Sequence, residues 1–120
     1  MPIVDVRLVA PDGTRFPEGA AKALAQALAI VFQAPEGRVW VRLEQLAAHL
    51  YAENSATEPP HPVFVTVLHA DLPPQEVLAA QARAVSEAVA ESLCCKAEQV
   101  HVEYSPPGRG RVAFGGKLLQ

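Results

Sequence analysis

Hydrophobic and polar positions alternate along residues 3–9, where Ile3, Val4, Val6, Leu8 and Val9 are apolar, and this predicts a strand. Ala10-Pro11-Asp12-Gly13-Thr14 is turn chemistry. Pro17 and Glu18 open a stretch in which Leu24, Ala27, Leu28 and Val31 keep the i, i+3, i+4, i+7 spacing of a buried helical face. Arg38 to Leu43 predicts a second strand, and Gln45 to Ala52 a short helix or irregular chain. Asn54 to Pro62, rich in proline and polar residues, reads as a linker. Val63 to Leu68 is again a strand. Pro73-Pro74-Gln75-Glu76 starts a helix whose apolar stripe is Leu78, Ala82, Val85, Val89 and Leu93. Val100 to Tyr104 is the next strand. Gly108 to Arg111 then turns into the glycine-rich hairpin or edge Val112 to Gly116.

The order strand, helix, strand thus occurs twice. At a shift of 61 residues Ile3 meets Phe64, Leu24 meets Val85 and Val39 meets Val100. A helical crossover joins parallel strands with right-handed connectivity. The expected fold class is therefore α+β. Two tandem β-α-β units form a four-stranded mixed sheet with both helices on one face. Residues 1–120 make one domain, with units at 2–53 and 63–120 and a linker at 54–62. Helices on one face leave the other bare, so Trp40 and its apolar neighbours need cover, which predicts association between copies.

Composition narrows the function. The 120 residues are 50% hydrophobic and carry a net charge of −3 without a long basic run. That excludes an electrostatic footprint for nucleic acid or for an anionic membrane surface. No apolar run approaches the ~20 residues of a spanning helix. Asp5 and Arg7 interrupt any signal-peptide core, and the two cysteines, Cys94 and Cys95, are adjacent, a spacing that suits neither a metal nor a redox motif. A cytoplasmic location is the expectation.

The chemistry begins at Pro2. Initiator methionine is normally trimmed before a small residue such as proline, and trimming leaves a free secondary amine. α-Amines titrate near ~7.7–8.0, and burial or nearby cations lower that further. Such a group suits proton transfer near neutral pH. With methionine retained, the same nitrogen is an amide and no base.

The chain resembles the tautomerase superfamily. The likeness lies in Pro2-Ile3-Val4, in Ala34-Pro35 before the second strand, and in the run from Val85-Ser86-Glu87-Ala88-Val89 through Ser92-Leu93 and Val100 to Phe114-Gly115-Gly116-Lys117-Leu118. It covers most of the chain apart from residues 46–62. The second half is similar to the 4-oxalocrotonate tautomerase unit, and the whole to a fused, double-length member. The resemblance implies a homotrimer with sites between subunits around the amino-terminal proline, and no metal or organic cofactor. Pro2 would then be the general base of a tautomerase or isomerase acting on small enol or 2-hydroxydienoate acids. Val63 stands at the matching start of the second unit, so one proline site per subunit is expected. The chain departs from the family where arginines are expected: those positions hold Asp12, Trp40 and His101. The loop Leu68 to Pro73 lacks the arginine pair of the decarboxylase and dehalogenase branches, although Gly108-Arg109-Gly110-Arg111 is similar to a decarboxylase run.

A small carboxylate substrate needs a cation, and arginine supplies a bidentate clamp. Arg15, Arg42, Arg109 and Arg111 are the candidates. His101 stands where the family holds a substrate cation, and Tyr104 can orient a substrate oxygen. Trp40, Phe114 and His69 are candidate pocket walls that would desolvate the proline. Two other readings compete with the tautomerase: a decarboxylase or hydratase of a small acid, and a non-catalytic trimeric scaffold or binding protein of the same fold.

Overall fold

The computed structural model describes residues 1–120. Its elements are β1 (Ile3–Ala10), α1 (Ala20–Phe32), β2 (Trp40–Ala47), β3 (Val63–Leu68), α2 (Gln75–Leu93), β4 (Val100–Tyr104) and the short strands β5 (Ala113–Phe114) and β6 (Lys117–Leu118). Single 3₁₀ turns occupy Ala48–Leu50 and Ala97–Gln99. The four long strands form one mixed sheet in the order β2-β1-β3-β4. Each unit contributes a parallel pair, with Ile3 opposite Trp40 in the first and Phe64 opposite His101 in the second. The central strands β1 and β3 join the units antiparallel, Ile3 opposite Leu68. No helix is long and apolar enough to cross a membrane.

Alternation along the strands decides which residues enter the core. Val4 and Val6 of β1, Val63, Val65 and Val67 of β3, and Val100 of β4 face the helices. There they meet Leu24 and Leu28 of α1 and Val85, Val89 and Ala90 of α2. The two helices pack against each other over this one face, each also resting on the outer strand of its own unit. β-Branched valines suit the pleated surface, and leucine from α1 with valine and alanine from α2 fill the helical side.

Several boundaries differ from the pattern-based expectation. Helix α1 begins at Ala20, not at Pro17, because Gly19 adopts a left-handed conformation (φ 86°) and turns the chain first. β2 runs from Trp40 to Ala47, replacing the strand expected from Arg38 to Leu43. Arg38 instead closes a turn, its N–H donating to the Pro35 carbonyl at 3.2 Å. β2 extends because Gln45 to Ala47 continue the parallel register against Leu8 to Ala10.

The sheet face away from the helices is not the apolar surface that the pattern suggested. Its central rungs are charged. Arg7 donates from Nε to Glu44 at 2.8 Å, and Arg42 donates from Nη2 to Asp5 at 2.8 Å. The parallel offset of 37 residues sets both pairs side by side. Trp40 stays half exposed with Phe114 edge to face against it at 4.9 Å between ring centroids, so the expected need for further cover remains at that end of the sheet. β5 and β6 deliver that phenylalanine through a two-residue Gly115-Gly116 loop. Both φ angles there are positive (57° and 86°), a conformation glycine adopts without steric cost.

Candidate active site

Pro2 is fully buried at the start of β1. Its carbonyl accepts the N–H of Trp40 at 3.1 Å, which continues the β1–β2 ladder by one step. In this chain Met1 precedes it, so the Pro2 nitrogen is an amide. Two cavities meet at this end of the sheet. One, of about 450 Å³, is lined by Met1, Pro2, Phe32, Gln33, Arg38 and His69, among others. The other, of about 270 Å³, is more enclosed and more apolar, between Met1, Ile3, Trp40, Phe114 and Leu119. Met1, Arg38 and Ala70 line both. A wider groove of about 530 Å³ runs between α1 and α2, but it holds no cation and does not reach Pro2.

The loops build this corner residue by residue. The Pro35–Arg38 turn projects Arg38, and the Trp40 indole N–H donates to the Gly37 carbonyl at 3.1 Å to brace it. On the other side the chain after β3 is tied to the carboxyl-terminal loop. Gly108 N–H donates to the His69 carbonyl at 2.8 Å and Arg109 N–H to the Ala70 carbonyl at 3.0 Å. Arg109 also donates from Nε to Asp71 at 2.8 Å, which holds that carboxyl below its ordinary value through the hydrogen bond and the guanidinium charge.

His69 is the one charged or polar side chain in the buried set. Its Nε2 lies 2.8 Å from Gln81 Oε1, and the Tyr104 hydroxyl donates to the same oxygen at 3.0 Å. Phe32 meets the imidazole edge to face at 5.4 Å, and Tyr104 stacks on it at 5.9 Å. Burial pushes the Tyr104 phenol up. The amine of Met1 is lowered, first by burial and then by the charge of Arg38. An amine at this corner is thus biased toward the neutral, basic form.

The corner brings together Pro2, His69, Trp40 and Phe114 of the residues singled out in the sequence, with Tyr104 behind His69. The others lie elsewhere. Arg42 is paired with Asp5 on the open sheet face. His101 is on the same face of the edge strand β4, its ring 5.5 Å from Phe64. Arg15 is exposed in the loop between β1 and α1. Arg109 is committed to Asp71 and to the Gln120 carbonyl, and Arg111 is exposed in the following turn. No cluster of histidine, cysteine or carboxylate side chains could hold a metal ion.

Arg38 and Gln81 were not singled out by sequence reasoning. A signal for Arg38 exists: it stands two residues before Trp40, the strand partner of Ile3, as Met1 stands two before Ile3. Pro35-Glu36-Gly37 before it is turn chemistry that ends the strand pattern. Nothing in the helical periodicity marks Gln81.

This architecture is the tautomerase/MIF fold, a four-stranded mixed sheet with two helices on one face. The chain is similar to a fused 4-OT protein solved as a symmetric trimer, with 22% identity, 98% of this chain and 94% of that one covered, and a TM-score of 0.77. It is similar over its whole length to macrophage migration inhibitory factor from Oncomelania hupensis, of which it covers 83%, at 21% identity and a TM-score of 0.74. A third similar structure is Pt0534 inactivated by 2-oxo-3-pentynoate, with 18% identity, 98% of this chain and 94% of that one covered, and a TM-score of 0.74. The sequence of the present chain matches no protein-family model and no curated protein.

Proposed function

We propose that the protein is a cofactor-independent tautomerase of small enol or keto acids, acting as a homotrimer in the cytoplasm, with Pro2 as its base once Met1 is removed. One observation carries this reading: Pro2 is buried against a cavity that Arg38 lines, and Arg38 also lines the more apolar cavity adjoining it. Burial and the charge of Arg38 already lower the amine of Met1. Removal of Met1 moves the amine one residue inward, to the more buried position. In enolisation the neutral amine removes the proton from carbon, and in ketonisation the ammonium returns a proton to that carbon. Arg38 clamps the substrate carboxylate, and its charge stabilises the enolate formed between the two transfers. Trp40 and Phe114 receive the non-polar end of the substrate. Similarity to trimeric 4-OT structures supports an assembly of three copies.

A second reading, a non-catalytic scaffold or binding protein of the same fold, has one observation in its favour. Arg42 and Arg109, two cations expected for substrate, are committed to Asp5 and Asp71. Intact mass of the untagged protein, followed by assay with phenylenolpyruvate and 2-hydroxymuconate, separates the two readings. A free Pro2, with turnover that Pro2→Ala abolishes, supports the enzyme. Retained methionine without turnover supports the scaffold.

A further inference from the structure

The buried imidazole beside Pro2 is unusual in its wiring. An amide oxygen has two lone pairs and no proton, so both groups that reach Gln81 Oε1 must donate. The Tyr104 hydroxyl is one. The other is His69 Nε2, which therefore carries the ring proton. That leaves Nδ1 as the basic nitrogen in the neutral ring. Nδ1 makes no hydrogen bond within the chain, yet no buried side-chain nitrogen or oxygen lacks a partner. It must then keep solvent-accessible surface, and the cavity that His69 lines is the one that holds Pro2.

Everything around the ring fixes its pose. Phe32 and Tyr104 hold its edge and face. Gly108 N–H pins its backbone carbonyl. Three separate segments, α1, α2 and β4, thus keep a protonated Nε2 inward and a bare Nδ1 free. Plain packing does not require this. An apolar residue would fill the space without bringing a polar ring into the core.

We propose that His69 is the second proton-transfer residue of this site, with Nδ1 serving the substrate oxygen while the Pro2 nitrogen serves carbon. The inference rests on the tautomerase reading and deepens it. In ketonisation the enol O–H bond breaks and its proton joins Nδ1. The enol π pair takes the proton of the Pro2 ammonium, so an N–H bond breaks as a C–H bond forms. The keto acid leaves with proline neutral and imidazole protonated. The Nδ1 proton then passes through cavity solvent to proline, and the cycle closes with no net gain or loss. Gln81 and Tyr104 are positioning residues, because they act through the ring rather than on the substrate.

The test uses protein whose mass shows Pro2 free, assayed for ketonisation of phenylenolpyruvate. Proton transfer by a positioned side chain contributes about 10²–10⁴-fold. His69→Asn and His69→Gln are expected to lower kcat about 10²-fold or more while KM stays within about threefold. Added imidazole is expected to restore part of the kcat of His69→Ala, which a role in packing alone would not allow. Pro2→Ala separates the two claims. If it abolishes turnover while the His69 variants keep the wild-type kcat, the proline reading stands and the His69 proposal is overturned. Failure of imidazole to raise the kcat of His69→Ala also overturns it. Wild-type turnover that survives Pro2→Ala overturns both.

Discussion

Gln33 and Cys94 are the only two non-glycine residues with positive φ, at 51° and 56°, and they stand 61 residues apart. Each is the C-cap of its helix, donating its N–H to Ala29 and Ala90 respectively, carbonyls that are also 61 residues apart. The two units therefore end their helices by the same strained device, and neither uses the glycine that this position ordinarily favours. Gln33→Gly and Cys94→Gly are each expected to stabilise the fold by about 0.5–1 kcal/mol, the relieved left-handed strain less the added freedom of the unfolded chain. Urea midpoints with unchanged m-values would measure it. A lowered midpoint in either variant would contradict the strain argument.

The adjacent thiols should react in order. Burial first, and then the charge of Cys94, push the Cys95 thiol up, whereas Cys94 is exposed. Because the thiolate is the nucleophile, iodoacetamide near pH 8 should label Cys94 well before Cys95. Peptide mass spectrometry over a time course reads the order directly.

Asp71 and Arg109 tie the loop after β3 to the loop after β4. The Asp71 carboxyl is lowered in the folded state, so its contribution is present above the ordinary carboxylate value and fades as pH falls through the lowered one. Both side chains are exposed, so the contribution is small. Asp71→Asn should lower Tm slightly at neutral pH, and the gap to wild type should close under acid. A gap that persists when the carboxyl is protonated would show that the charge is not the cause.

Arg38 and Arg42 should separate in function. Loss of a charge-assisted hydrogen bond to substrate costs about 1.5–3 kcal/mol, or roughly 10- to 100-fold in affinity. Arg38→Gln is expected to raise KM for an enol acid by that order. Arg42→Gln, which removes an ion pair on the sheet face, is expected to act on stability or assembly, with KM unchanged in the protein that assembles. Steady-state kinetics beside size-exclusion profiles would distinguish them.

The core gives the plainest stability test. Leu28 is fully buried between α1 and the sheet. Leu28→Ala should cost about 2–5 kcal/mol by denaturant unfolding. Ile30, which faces solvent two residues on, should tolerate alanine with less than about 0.5 kcal/mol of change.

Period and punctuation made the fold legible. Val63–Leu68 and Val100–Tyr104 have the expected bounds because turn residues flank dense β-branched runs. The first unit was harder to bound. Gly19 delays α1, and β2 is lengthened by pairing with β1, a long-range cause that no local pattern carries. At the corner around Pro2 the same limit applied more strongly. Pro2 stands out by its chemistry, and Trp40, Phe114 and His69 became candidates beside it once the resemblance was drawn. Arg38 was hidden because strand alternation absorbed it, whereas it closes the turn before β2 and lines both cavities with Met1. Gln81 was hidden because a glutamine in a helix is ordinary until its partners His69 and Tyr104 converge from two other segments.

Gly108 is buried, and a Cβ built on it would lie 2.7 Å from the terminal methyl of Met1. Its other near neighbours, Val112 Cγ2 at 3.2 Å and the His69 carbonyl at 3.3 Å, leave slightly more room. The Met1 methyl ends a flexible side chain and can swing aside, whereas Val112 and the His69 carbonyl are held by the fold. A methyl group at position 108 would therefore press on the peptide of His69, and the smallness of this one residue lets the carboxyl-terminal loop close over the corner that holds Pro2.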